Sequence, residues 1–233
     1  MEEILTAGLG ELGLTADAGK LAAFRRYYDR LTETNAVMNL TAIEGEENTA
    51  RLHFLDCCAL AGAAELGGKS VVDVGTGAGF PGLPLKIIEP TIALTLIDSQ
   101  EKRVDFLRST CAALGMDRVS FVSARAEDAP AELRGSFDVA VSRAVARLNV
   151  LAELCLPLVR VGGLFIAMKG PDCDEEISEA ASALTELGAE LSGVFRYSVP
   201  GTDISHAAVI IKKIAETPEK YPRRWARITK RPL

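Results

Sequence analysis

At 233 residues the chain is long enough for one sizeable core with an appendage. With 48% hydrophobic and 25% charged residues its composition is that of a globular protein, and no apolar run approaches the ~20 residues of a membrane span, so neither a membrane protein nor a disordered one is expected. The net charge of −6 argues mildly against a nucleic-acid partner, although two basic clusters, "FRRYYDR" at 24–30 and "YPRRWARITKRPL" at 221–233, run against that average.

The opening "MEEILTAGLGEL" is acidic and lacks a basic segment, so it is not expected to be a signal peptide. Leu21, Phe24, Tyr28 and Leu31 recur at helical spacing and predict a helix over 17–38. "NLTAI" at 39–43 interrupts, and a second helix is predicted over 47–66, ended by Gly67 and Gly68. From Lys69 the texture changes. Strand-like runs at 69–75, 93–99, 118–124, 137–142 and 163–169 alternate with helical segments at 101–114, 144–160 and 174–187. Apolar strands alternating with helices imply a parallel sheet covered on both faces. The last two runs, 190–199 and 205–213, are separated by only a few turn residues, too short for a crossover, so this pair is predicted to be antiparallel. Three parts follow: a helical extension at 1–68, an α/β domain at 69–214 and a basic tail at 215–233. The five cysteines form no CxxC pair and no Cys/His cluster. Zinc and a disulfide framework are therefore not expected, and a reducing, cytoplasmic setting is.

The stretch "VVDVGTGAGFPGLPLK" at 71–86 places a glycine loop after the first strand and before a short helix, at the carboxyl edge of the sheet. Ligands bind there in open α/β folds. A triphosphate loop needs Gly-Lys-Ser/Thr, but Leu83 follows Gly82. A dinucleotide fingerprint needs a third glycine where Phe80 stands. The pattern present is Asp73-x-Gly75-x-Gly77-x-Gly79. An acid before the loop disfavours a pyrophosphate and suits a cationic ligand. Asp98, at the end of the next strand, suits a pair of ribose hydroxyls, and is also placed to cap the helix that begins near Glu101. Glu127 follows the third strand. Together these describe a site for S-adenosylmethionine, which carries a ribose, an adenine, an ammonium and a sulfonium but no phosphate.

The segments "DVGTGAGFPGLPL", "LIDSQEKRVDFL", "ARAED", "VSRAVA" and "MKG", with "NAVMNLTAI" and "RLHFLD" upstream and "YPRR…ITKRPL" at the close, resemble the RsmG (GidB) family, which methylates N7 of a guanine in bacterial 16S rRNA. The likeness covers nearly the whole chain. It implies a Rossmann-like class I S-adenosylmethionine-dependent methyltransferase: a mostly parallel seven-stranded sheet with an antiparallel last strand, preceded by a helical extension. It also implies a cytoplasmic enzyme, taken as a monomer, whose partner is 16S rRNA or a small-subunit precursor. The family's cofactor contacts fall on Gly75, Phe80, Ala126, Glu127 and Arg143. Gly75 and Gly77 would admit the methionine moiety, Ala126 and Glu127 would flank the adenine, and Phe80 would form a wall near the methyl group. Arg143 would meet either the cofactor's carboxylate or an RNA phosphate. One departure is Cys57, where the family usually has serine.

Methyl transfer to N7 removes no proton, so no general base is expected, and neither His53 nor His206 is needed as one; helix packing and a strand edge account for them. Cys173 is read as an incidental loop thiol. Arg223, Arg224, Arg227, Lys230 and Arg231 are expected to contact RNA phosphates, helped by Arg25 and Arg26 if the first helix folds onto the same side. Trp225 is read as stacking on an exposed base or anchoring the tail. A small-molecule methyltransferase with the same cofactor site is the alternative; a non-catalytic RNA-binding module is a third reading, disfavoured by the intact loop.

Overall fold

The apolar runs Ser70–Val74, Ala93–Asp98 and Phe137–Arg143 become strands buried along most of their length, on both faces. In the computed structural model, which describes residues 1–143 and 146–233, seven strands form one sheet. The chain opens with α1 (Glu2–Glu11) and α2 (Ala18–Met38). An irregular helix follows: α3 (Glu46–Thr49), a π-helical turn over Ala50–Leu55, α4 (Asp56–Cys58) and a 3₁₀ turn over Ala59–Gly62. Then come β1 (Ser70–Val74), α5 (Gly82–Ile88), β2 (Ala93–Asp98), α6 (Glu101–Leu114), β3 (Val119–Ser123) and β4 (Phe137–Arg143). The chain closes with α7 (Leu148–Cys155), β5 (Val159–Lys169), α8 (Asp174–Glu186), β6 (Ala189–Ser198), β7 (Ser205–Lys213) and α9 (Trp225–Lys230).

The sheet order is β3-β2-β1-β4-β5-β7-β6; pairing is parallel from β3 to β5, whereas β7 runs antiparallel to both β5 and β6. The predicted strands match to within two residues, apart from the start of β5. There Val159 already pairs with Phe137 ahead of a register shift, a stretch whose Gly162 and Gly163 resemble a turn in the sequence. The predicted helix over 47–66 is instead broken into turns of three pitches and ends at Gly62. The helix predicted over 144–160 is observed from Leu148 to Cys155 and a 3₁₀ turn to Leu158; Ala144 and Val145 lie outside the described residues. Among the described residues, no helix is long and apolar enough to cross a membrane.

Alternation along β1 divides the interior in two. Val71 joins a core built with α1, α2, α5 and α6; Val72 and Val74 join another with α7, α8 and Ile228 of α9. Residues 1–68 therefore cover one face of the sheet, packed into the same core as β1. The C-terminal segment lies on the opposite face, so Arg25 and Arg26 do not share a side with it. That segment is docked along its length. Arg134 donates to the carbonyls of Thr217, Pro218 and Tyr221, Tyr221 and Ile228 are buried, and Arg223 clasps the fully buried Glu153 through Nε (2.8 Å) and Nη2 (2.5 Å).

Candidate cofactor and substrate site

The glycine loop is held from below. Asp73 is fully buried, and its Oδ2 accepts from Thr76 Oγ1 (2.7 Å) and from the Gly82 N–H (2.8 Å), tying the two ends of the loop together. Its Oδ1 has no hydrogen-bond partner among the described residues. Burial pushes the carboxyl up to about 7 against the pull of these two hydrogen bonds. The expectation of an acid presented to a cationic ligand is thus changed: Asp73 acts on the loop from inside. Gly75, Gly77 and Gly79 have φ of 72°, 59° and 109°, the left-handed region that glycine adopts without strain. Their surroundings differ. A Cβ on Gly77 would meet nothing within 4 Å, whereas one on Gly79 would lie 2.6 Å from Leu83 Cδ1 and 2.7 Å from the Tyr27 hydroxyl. Gly79 serves packing; the open side of the loop is at Gly77 and at Gly75.

Gly75 lines a cleft of about 350 Å³ at the carboxyl ends of β1 to β4. Its walls include Asp98, Ala126, Glu127 and Arg143, which the sequence singled out, together with Leu154 and Trp225, which it did not place here. Asp98 is nearly buried. Its Oδ2 accepts from the Gly77 N–H (3.0 Å) and its Oδ1 from the Gln100 N–H (2.9 Å), with Arg103 Nη1 at 3.6 Å. It therefore ties the loop to the start of α6 as well as facing the cleft. Glu127 and Ala126 are half-buried on a 3₁₀ turn after β3. Trp225 reaches the cleft from the tail, which favours its anchoring role.

Phe80 is not on this cleft. It is buried in an aromatic cluster, its ring stacked on His53 at 4.3 Å between centroids and 5.5 Å from Tyr27. Arg143 lies over the same ring at 4.8 Å. The Phe80 ring thus carries the arginine.

Arg143 stands at a junction. It lines the cofactor-side cleft and also a second one of about 510 Å³, bounded by Leu52, Met168, Ile204 and His206. Its Nη1 donates to the Leu52 carbonyl (3.2 Å) and Asp56 Oδ2 (3.3 Å), and its Nη2 to His53 Nδ1 (2.8 Å). A guanidinium has no acceptor, so His53 Nδ1 must accept and the proton sits on Nε2, which reaches Thr41 Oγ1 at 2.8 Å. Burial, helped by the Arg143 charge, lowers His53 to about 3 and keeps it neutral. On its other oxygen Asp56 accepts from His206 Nδ1 (2.8 Å) and the Tyr197 hydroxyl (2.9 Å). His53 and His206 are therefore members of one polar network rather than separate packing residues. The sequence signal was present in "NLTAI", "RLHFLD" and "SRA", but contact between these segments is not readable from spacing. A larger hollow, about 670 Å³, adjoins at Ile43; Glu44 is the one ionisable side chain on its wall among the described residues.

All five cysteines are buried free thiols, Cys57 and Cys173 included, and burial raises both of these, so neither is a poised nucleophile. Arg25 is committed to Glu46 through two hydrogen bonds of 2.8 and 2.9 Å, and Arg223 to Glu153, whereas Arg26, Arg224, Arg227, Lys230 and Arg231 are exposed. No group of three metal-ligating side chains occurs among the described residues.

The sequence pattern of GidB, described as rRNA small subunit methyltransferase G, matches residues 20–200. The chain belongs to this family. A protein of Clostridium perfringens strain 13 named ribosomal RNA small subunit methyltransferase G is 42% identical over 99% of this chain and 98% of its own. One of the same name from Alkaliphilus oremlandii is 45% identical over 100% and 99%. Among solved structures, M. jannaschii TYW2 in complex with AdoMet superposes with a TM-score of 0.55 at 14% identity, covering 68% of this chain and 75% of that one. The 16S rRNA (adenine(1408)-N(1))-methyltransferase from Catenulisporales acidiphilia with cosubstrate SAM gives 0.52 at 18%, covering 70% and 93%. The GidB chain thus has the class I S-adenosylmethionine-dependent methyltransferase fold. Its cleft suits that cofactor: an open glycine loop, a carboxylate at the end of the next strand and, among the described residues, no lysine on its walls.

A hydrogen bond to a charged group contributes roughly 1.5–3 kcal/mol. Asp98→Ala is therefore expected to weaken S-adenosylmethionine binding by about ten- to a hundredfold, and Gly75→Val more, because a branched side chain enters the cleft at positive φ. Calorimetry on folded variants checks this; unchanged affinity for Asp98→Ala removes that residue from the site.

Proposed function

We propose that this GidB-family chain transfers a methyl group from S-adenosylmethionine to N7 of a guanine in 16S rRNA. The observation that carries this reading is the glycine-loop cleft joined through Arg143 to a second cleft large enough for a nucleobase, in a chain whose relatives, matched end to end, are named as rRNA methyltransferases. When bound, the cofactor supplies an electrophilic methyl on a sulfonium. The protein's own task is alignment. Asp98 would accept from the ribose, Ala126 and Glu127 would border the adenine, and the loop at Gly75 and Gly77 would admit the methionine part. Guanine N7 offers an in-plane lone pair with no proton to remove. The site agrees with that demand: both nitrogens of His53 are occupied and its ring is neutral, and the cysteines are buried. The sequence Ser142-Arg143-Ala144-Val145 at the end of β4 and just beyond it has no Asn/Asp-Pro-Pro motif of an exocyclic-amine methyltransferase; Ala144 and Val145 lie outside the described residues. A small-molecule substrate is not favoured by the relatives' names or by the exposed cations of the tail. The protein acts as a cytoplasmic monomer in this reading.

RNA docking falls to Arg224, Arg227, Lys230 and Arg231, with Arg26 on the opposite face able to meet a different part of a folded RNA. Net charge is a poor guide here, because fields from distant acids are screened over about 8–10 Å.

Tritium from labelled cofactor is expected in 16S rRNA, at a nucleotide that cleaves after reduction and aniline treatment, as a positively charged 7-methylguanine does. Label resistant to that cleavage, or confined to small molecules, contradicts the proposal. Replacing Arg224, Arg227 and Lys230 together by Ala should spare cofactor affinity, weaken RNA binding and lower its salt slope by roughly 0.7 per lost contact on single-stranded RNA. Arg223→Ala should instead strand the buried Glu153 and lower stability by roughly 3–5 kcal/mol in urea. Wild-type RNA affinity and salt slope in the triple variant would show that the tail is structural.

A further inference from the structure

The second cleft carries chemistry that methyl transfer as such does not use. Its volume of about 510 Å³ lies within the usual range of ligand pockets. Leu52, Met168 and Ile204 give it apolar walls, and Ile204 is 41% exposed. Apolar walls suit the faces of a nucleobase; polar groups must then read its edge. Most of the polar groups here are already engaged. Lys169 is paired with Glu176 at 2.7 Å and donates to the Ala146 carbonyl. His53 has both nitrogens occupied. His206 differs. Asp56, held as an acceptor by Arg143 and Tyr197, fixes the proton on Nδ1 of His206, and Nε2 makes no hydrogen bond among the described residues. The π-helical turn over Ala50–Leu55 sets Leu52 and His53 at this point, with Asp56 directly after it, an irregularity common at functional sites.

We propose that this cleft seats the target guanine and that His206, oriented by Asp56, reads its Watson–Crick edge by accepting a hydrogen bond at Nε2 from N1–H. This rests on the guanine-N7 reading above and names the base subsite for it. The geometry follows from which residue borders which cleft. Arg143 lines both, so the reacting N7 and the neighbouring O6 lie on its side. His206 lines only the second, so it meets the edge remote from the methyl donor. Guanine presents a donor at N1, whereas adenine presents an acceptor, which Nε2 would repel. Methylation at N7 leaves positive charge on the ring and makes N1–H more acidic. The bond to Nε2 therefore strengthens as the charge forms, which favours the transition state over the ground state.

The acceptor must be neutral. The groups facing His206 are Asp56, Tyr197 and Arg143, with Lys169 on the same cleft. The hydrogen bond to Asp56 raises the imidazole above its ordinary value, opposed by burial and by the Arg143 charge. Methylation of RNA should therefore be weak while His206 holds its second proton and rise as pH increases through its pKa.

The test compares wild type, H206A and H206Q for kcat/KM on 16S rRNA across pH, with cofactor affinity measured by calorimetry in each. H206A should bind cofactor like wild type but lose roughly tenfold in kcat/KM, about one hydrogen bond, and lose the acidic limb of the pH profile. H206Q offers Oε1 as an acceptor that does not titrate, and should recover most of the activity with a flat acidic limb. Substrate with inosine at the target, which keeps N1–H, should be methylated; substrate with 1-methylguanosine should not. H206A equal to wild type with an unchanged profile overturns the subsite alone. A wild-type protein that binds cofactor and labels no RNA overturns the reading beneath it.

Discussion

The carboxylate of Asp56 holds the working end of the molecule together. It is nearly inaccessible to water and has partners on three strands: Arg143 at the end of β4, Tyr197 on β6 and His206 on β7. Buried, such a charge is costly unless every lone pair is used, and removing a partner leaves an uncompensated charge. The arrangement therefore specifies a geometry more than it adds stability. It locks the helical segment that follows "NLTAI" against the carboxyl edge of the sheet. It also fixes Arg143, which among the described residues is the one side chain shared by the two clefts.

The glycine loop depends on a different buried acid. Asp73 binds both ends of the loop from beneath, and Asp98 binds its middle from the next strand. Two carboxylates thus hold a backbone whose glycines adopt positive φ, leaving the outer side open. The aromatic cluster of Tyr27, Phe54, Phe80 and His53 joins this loop to the helical layer: Tyr27 donates to the Ala78 carbonyl at 2.6 Å, and Phe80 supports Arg143. The helices of residues 1–68 are in this way part of the site rather than an ornament on the sheet.

Much of the fold was legible because its constraints are local. A parallel strand buried on both faces is a short apolar run, and Gly115 and Gly188 mark where α6 and α8 stop. What was missed has physical causes too. In α1, Gly8 packs so tightly on Leu55 that an added Cβ would lie 2.3 Å from Cδ1, and the segment's glycines masked the helix. The cofactor loop was readable from its spacing, but not the task of each residue in it: Asp73 and Phe80 face inward, a matter of which side of the backbone is buried. The segments that build the Asp56 network stood out in the sequence, but their contact was not readable, since bonds to Arg143 and His206 span 87 and 150 residues. Arg25 and Arg223 looked like equal members of basic clusters; only the folded chain shows them spent on Glu46 and Glu153.

The central claim is that two clefts, one for cofactor and one for a guanine, meet at an arginine held by Asp56. A crystal structure with S-adenosylhomocysteine and a short RNA carrying the target guanine tests it most directly. The account predicts the adenosine between Asp98 and Glu127, the guanine between Met168 and Ile204 with its N1 edge on His206, and Arg143 between the two ligands. A guanine bound elsewhere, with the Asp56 cleft empty, would contradict it.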